Sequence, residues 1–162
     1  MNYRSGYAVL LGRPNVGKST LLNRLLGQKL AITSHKPQTT RHRILGIRSE
    51  KHGQIVFVDT PGIHERGDKA MNQYLNRTAR TALLDVDLVV FLVQALEWTA
   101  EDQQVLSAIE RAGIPAIAVV NKVDLVQAKE KLLPFIQELA GRYDFLETVP
   151  ISAQDGDNVE VL

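Results

Sequence analysis

Apolar positions along the chain fall into short continuous runs, separated by segments in which they recur at helical spacing. Residues 7–11 (YAVLL), 86–93 (VDLVVFLV) and 115–120 (PAIAVV) are runs of strand length, the pattern of strands buried on both faces. Residues 17–26 put Leu21, Leu22, Leu25 and Leu26 at helical spacing, with Gly27 as a C-cap. ILGIRS at 44–49 and QIVFVD at 54–59 read as strands; only EKHG separates them, which predicts an antiparallel hairpin. A helix is expected over 68–84, where Met71, Leu75, Ala79 and Leu83 share a face. Thr99 and Asp102 have the spacing of an N-terminal cap for a helix carrying Val105, Leu106 and Ile109. Another helix is expected over 128–140, started or kinked by Pro134, and a last strand over 147–151. Residues 28–43 read as irregular, polar and basic.

Alternation of this kind predicts an α/β sheet with parallel crossovers and one antiparallel edge hairpin. Ligands then sit at the carboxyl ends of the strands. No repeat, low-complexity tract or linker divides the chain, so residues 1–162 are expected to form a single domain. Its tail, SAQDGDNVEVL, stops where a covering helix is expected. A helix burying three leucine-sized side chains contributes roughly 5–9 kcal/mol at ~1.5–3 each. That is comparable with the ~5–15 kcal/mol stability of a whole domain. The expectation is a natural chain that continues with that helix, the alternative being another molecule covering the face.

Composition narrows the classes. An apolar fraction of 44% and a charged fraction of 23% are those of an ordinary globular domain. A net charge of +1 gives no global basic field for nucleic acid or membrane. The absence of cysteine excludes disulfides, thiolate catalysis and cysteine-held metals. No signal-peptide core opens the chain, and no run approaches the roughly 18 apolar residues of a membrane span. A cytoplasmic location is expected. The four histidines lack metal-ligand spacing, so no zinc site is expected.

The chemistry lies at predicted strand ends. Gly12-Arg13-Pro14-Asn15-Val16-Gly17-Lys18-Ser19 fits G-x-x-x-x-G-K-[ST] between a strand and a helix. Its glycines let backbone N–H groups wrap a phosphate, and the helix N-terminus adds positive potential. The expected nucleotide-binding positions here are Asn15, Val16, Gly17, Lys18, Ser19 and Thr20, with Lys18 bridging the β- and γ-phosphates and Ser19 ligating Mg²⁺. Asp59-Thr60-Pro61-Gly62 closes another strand. Asp59 is a carboxylate for Mg²⁺, and the Gly62 N–H can approach a γ-phosphate. Asn121-Lys122-Val123-Asp124 closes the 115–120 strand. Asp124 can accept from guanine N1–H and N2–H₂ together, a donor pair adenine lacks. Lys122 can lie over the base, and Asn121 can tie this loop to the phosphate loop. Ser152-Ala153 closes the last strand, where a backbone N–H can meet guanine O6. The loop motif in its strand–helix context is specific by itself; the D-T-P-G turn and Asn-Lys-x-Asp alone are weak, but four motifs in this order at strand ends point to a guanine nucleotide.

With those residues in view, the chain resembles the G domain of translation-factor-type GTPases, and more narrowly the Era family of bacterial ribosome-assembly GTPases. GRPNVGKSTLLNRLLGQKLAITS, PQTTRHRILGI, VDTPGIH, AVVNKVD and VPISA carry the resemblance in order, over essentially the whole chain. The resemblance implies a Ras-like P-loop fold: a six-stranded, mostly parallel sheet with one antiparallel edge strand and helices on both faces. It implies a GTP-hydrolysing molecular switch with GTP, GDP and Mg²⁺ as ligands. Lys18, Thr40 and Gly62 are its catalytic positions, and Ser19, Thr40 and Asp59 its metal positions. Thr40 is the first-switch threonine, with Thr39 the close alternative. The basic segment 35–43 is either a solvated loop or a surface that orders around nucleotide. The resemblance further implies a C-terminal RNA-binding KH domain, expected to lie outside residues 1–162. Small-subunit 16S rRNA is the implied partner, mainly through that domain, and peripheral inner-membrane contact is implied as well. The oligomeric state is left open.

One departure concerns the water. Many such enzymes place a glutamine after the Gly62 equivalent; here Ile63 can neither donate nor accept a hydrogen bond. His64 is one substitute. A K⁺ ion held beside the phosphates by Asn15 is another, since an asparagine there binds K⁺ in many members of the superfamily; the alternative is that Asn15 caps its own backbone. Two other classes compete: a small-molecule kinase, against which Asn121–Asp124 argues, and a non-catalytic nucleotide-gated module, which Ile63 favours. Trp98 is expected to be packing.

Overall fold

The structure, a computed structural model, describes residues 2–27, 43–59 and 83–162. Six strands form one sheet: β1 (Arg4–Leu11), β2 (Arg43–Glu50), β3 (Gly53–Asp59), β4 (Leu88–Gln94), β5 (Ala116–Asn121) and β6 (Glu147–Pro150). Their spatial order is β2-β3-β1-β4-β5-β6. All neighbouring pairs are parallel except β2 with β3. Around it lie helices α1 (Lys18–Leu26), α2 (Ala100–Ala112) and α3 (Leu132–Ala140). This is the α/β sheet with an antiparallel edge that the strand pattern predicts.

The continuous apolar runs follow from two buried faces. Side chains alternate across a strand, so Val89, Phe91 and Val93 of β4 face one layer while Val90 and Leu92 face the other. The first layer holds Val105, Leu106 and Ile109 of α2 and Leu139 of α3; the second holds Leu21 and Leu25 of α1. Helices therefore cover both faces. Val159, in a short 3₁₀ turn near the end of the chain, completes the α1 layer. Trp98 packs edge-on against Phe91 with Arg142 over its ring, a packing role as expected.

Boundaries shift where local chemistry decides. The hairpin strands run on to Glu50 and Gly53, which pair, so the turn shrinks from four residues to Lys51 and His52. The register slips between Ile44 and Gly46, leaving Leu45 as the extra residue of a bulge. β4 begins at Leu88, after Val86 and Asp87; the Asp87 carboxylate is bonded to β1 instead, accepting from the Tyr7 N–H at 2.8 Å. Pro134 is the third residue of α3 and lacks an N–H only where the first turn has no acceptor for one; Lys129–Lys131 before it form a 3₁₀ turn. Thr99 and Asp102 form a reciprocal capping box, the Thr99 hydroxyl accepting from the Asp102 N–H and the Asp102 carboxylate from the Thr99 N–H. The helix expected over 68–84 lies outside the described residues except for Leu83 and Leu84, which lie in a turn.

The order reverses at β1, which β3 and β4, consecutive in the chain, flank on opposite sides. That switch point opens a crevice at the carboxyl edge of the sheet, and the loop after β1 enters it.

Ile109 is fully buried between α2 and the sheet. Ile109→Ala should lower the unfolding free energy by about 2–5 kcal/mol in urea titrations. Glu110→Ala, on the exposed side of the same helix, should stay within about 0.5 kcal/mol.

Candidate nucleotide-binding site

The loop between β1 and α1 is shaped by two left-handed residues, Asn15 at φ 64° and Gly17 at φ 104°. Gly17 is the N-cap of α1, and a Cβ there would overlap Nδ2 of Asn121. Only glycine meets both demands. Lys18 Nζ donates back to the carbonyl oxygens of Gly12 at 2.5 Å and Arg13 at 3.3 Å, so its ammonium is held over the loop that precedes it. Ser19 and Thr20 are exposed in the first turn of α1. Asn15 is exposed, and among the described residues its side chain makes no capping bond to its own backbone.

The base-reading motifs close around this loop. Asn121, the last residue of β5, is 2% exposed. Its Nδ2 donates to the Val16 carbonyl at 2.8 Å, and its Oδ1 accepts from the Ala153 N–H at 2.9 Å. Both N–H groups of the Ser152-Ala153 pair expected near guanine O6 are engaged within the chain, Ala153's by Asn121 and Ser152's by the Asp157 carbonyl at 3.1 Å. Lys122 has left-handed backbone, and its Nζ donates to the Asn15 carbonyl at 2.6 Å and to Gln94 Oε1 at 3.1 Å. The Asp124 carboxylate is exposed and accepts from the buried Ser152 hydroxyl at 2.8 Å. That hydroxyl in turn accepts from the Asp155 N–H at 3.1 Å. Asn15 to Thr20, Asn121, Lys122, Asp124, Ser152 and Ala153 therefore converge at one edge of the sheet. Asp59 ends β3, half-buried, at that same carboxyl edge. Thr40 and Gly62, with Thr39, Ile63 and His64, lie outside the described residues.

Side chains without a motif complete the arrangement. Arg13 pairs through Nη2 with Glu97 at 2.6 Å and through Nε with the fully buried Asp102 at 3.4 Å. Gln94 donates to Glu97 at 2.9 Å while accepting from Lys122. A chain Arg13–Glu97–Gln94–Lys122 thus leaves the phosphate loop and returns to it at Asn15. Arg13 occupies a free position of the loop pattern, and Asp102 reads as a helix cap only, so neither carried a sequence signal for this pairing. Gln94 and Glu97 follow an apolar strand, where only the strand-end rule would have drawn attention to them.

A G-x-x-x-x-G-K-S loop at the switch point, tied by Asn121 to the polar loops after β5 and β6, defines a P-loop domain with Ras-like architecture. Residues 7–122 match the 50S ribosome-binding GTPase family, and the chain belongs to that family and is by membership a GTPase domain. It is 55% identical to GTPase Era of Pseudomonas aeruginosa over 98% of its length and 52% of the relative's. Among solved structures, Era in complex with MgGDPNP and nucleotides 1506–1542 of 16S ribosomal RNA matches with a TM-score of 0.72 at 35% identity, covering 99% of this chain and 55% of that one. An Aquifex aeolicus Era variant bound to GDP and AlF4⁻ matches with a TM-score of 0.72 at 37% identity, covering 98% and 54%. The chain spans about half the length of the curated relatives it matches. Among the described residues no helix is long and apolar enough to cross a membrane.

Asn121→Ala leaves the Val16 carbonyl and the Ala153 N–H without their buried partner. It should lower stability by about 2–4 kcal/mol in guanidinium unfolding of the ligand-free protein. Lys122→Ala, whose bonds lie nearer solvent, should cost under about 1 kcal/mol.

Proposed function

We propose that this chain binds GTP and GDP with Mg²⁺ and hydrolyses GTP as an Era-type molecular switch serving maturation of the small ribosomal subunit. The observation that carries the reading is Asn121, which holds the phosphate loop and the base loop together while Ser152 presents Asp124. A carboxylate held in this way suits the paired N1–H and N2–H₂ donors of guanine. Adenine would leave it unpaired, a discrimination far larger than apolar contacts provide.

On the phosphate side, Lys18 supplies the charge, and the N–H groups of Gly17, Lys18 and Ser19 supply the cradle. Catalytic roles fall to Lys18, Thr40 and Gly62. Ser19, Asp59 and Thr40 are the proposed metal donors; a carboxylate and two hydroxyls are hard oxygen donors of the type Mg²⁺ accepts alongside phosphate. Bound there, Mg²⁺ would neutralise charge on the β- and γ-phosphates. Ile63 leaves water without a glutamine, so positioning falls to backbone groups and charge. We assign Asn15, exposed at the loop, as a K⁺ ligand on the phosphate side. The solved complex of Era with 16S ribosomal RNA supports rRNA and the small subunit as partners in this reading. A single G domain over residues 1–162, acting in the cytoplasm and at the periphery of the inner membrane, belongs to the same proposal.

Single-turnover hydrolysis of preloaded GTP tests the catalytic part. Decay should be faster in KCl than in NaCl at equal ionic strength, and the difference should vanish in Asn15→Ala. Equal, very slow decay in both salts would make the domain a binding switch only. Asp124→Asn should exchange guanine for xanthine preference in equilibrium binding; unchanged GTP affinity in that variant rejects the base assignment.

A further inference from the structure

The phosphate loop leads into α1, and the far end of α1 comes back to the base pocket through one side chain. Arg24, in the last turn, donates from Nε to the Ala153 carbonyl at 2.8 Å and from Nη2 to the Gln154 carbonyl at 2.6 Å. Gly156 makes room for it: a Cβ there would lie 2.8 Å from Arg24 Nη1, on a backbone already at φ 88°. The loop itself is a tight turn, closed by the Gly156 N–H on the Ser152 carbonyl at 2.8 Å.

Peptide geometry turns these contacts into a direction. In a trans peptide the C=O and the following N–H point opposite ways. With the Gln154 carbonyl on Arg24, the Asp155 N–H faces away from α1, and it donates to Ser152 Oγ, beside Asp124. With the Ala153 carbonyl on Arg24, the Gln154 N–H must also face away from α1. The Ala153 N–H is taken by Asn121, whereas the Gln154 N–H has no acceptor among the described residues.

Resting on the guanine reading above, we propose that Arg24 is a positioning residue for base recognition: by holding two carbonyls on the α1 side, it aims the Gln154 N–H at the oxygen on the six-position of the purine. Asp124 reads the one- and two-positions, and Arg24 acts on the six-position through the loop. Arg24 itself touches no part of the base.

The test is equilibrium binding of GDP, IDP and 6-thio-GDP to the wild-type chain, Arg24→Ala and Arg24→Lys. IDP lacks only the two-amino group and reports on Asp124. The thio analogue keeps both donors but replaces the six-oxygen with sulfur, a weaker acceptor, and reports on the loop N–H. Arg24 is exposed, so the alanine variant keeps the folded core. Wild type should prefer GDP to both analogues. Arg24→Ala should lower the preference for GDP over 6-thio-GDP about 3- to 10-fold, the worth of one aligned hydrogen bond, and leave the preference over IDP intact. Arg24→Lys, with one donor group in place of the fork, should recover part of the loss. If both preferences survive in Arg24→Ala, or both fall together, the side chain does not aim this N–H. A wild-type preference over IDP but not over 6-thio-GDP also overturns the proposal while sparing the nucleotide reading. No wild-type preference over either analogue overturns that reading, and the proposal with it.

Discussion

One buried carboxamide sets the dimensions of the site. Asn121 stands at the end of β5 and reaches Val16, in the loop that leaves β1, and Ala153, in the loop that leaves β6. In the sheet, β4 lies between β1 and β5, so the two strand ends are roughly 10 Å apart at about 4.8 Å per strand. The phosphate loop crosses that gap by turning over the end of β4, and its left-handed residues make the turn. A carboxamide suits the junction because it donates and accepts at once, through atoms in fixed relation. An aspartate would lose the donor, and a leucine would strand both partners in a dry environment.

The sheet makes such a junction dependable. Residues along β4 and β5 are buried on both faces, so the strands have little freedom to slide, and their ends are fixed points. Polar atoms gather at one edge because the crossovers are parallel: every strand from β3 to β6 delivers its carboxyl end there. The phosphate loop is then braced from two further sides. Arg13 leans on the buried Asp102 at the start of α2, and Lys122 reaches the Asn15 carbonyl from the base side. The capping box of α2 thus serves twice, starting a helix and anchoring a cation of the loop.

What could be read from the sequence follows from how local each cause is. Continuous apolar runs are a property of a few adjacent residues, and they located β1, β4 and β5. The motif at 12–19 carries its own geometry, because glycine and asparagine at Gly17 and Asn15 are the residue types that take left-handed backbone. Asn121 as a tie between loops was legible for the same reason: residue type and strand-end position together define its task. The hairpin turn was read two residues too long because polar residues such as Glu50 can pair on an exposed edge as well as turn. Pairings such as Arg13 with Asp102, or Arg24 with Ala153, depend on packing between segments far apart in the chain. No spacing rule reports them. The same holds for the N–H groups of Ser152-Ala153: their place fits a base contact, but only the folded loop reveals that Asn121 and Asp157 have taken them.

The contact between Lys122 and Asn15 joins the two halves of the chemistry. Lys122 belongs to the base-reading motif, yet its ammonium donates to a phosphate-loop carbonyl at 2.6 Å. That carbonyl belongs to the residue whose side chain we assign to a cation. Both Asn15 and Lys122 have left-handed backbone, so the two ends of this contact lie on tight turns. A base that displaced or strained Lys122 would therefore act on the loop beside the phosphates, without any long-range change in the sheet. Under the hydrolysis proposed above, with Ile63 in place of glutamine, catalytic geometry would come from backbone and charge. The Lys122–Asn15 bond would then let binding of the correct purine help to set that geometry before any phosphate bond is broken.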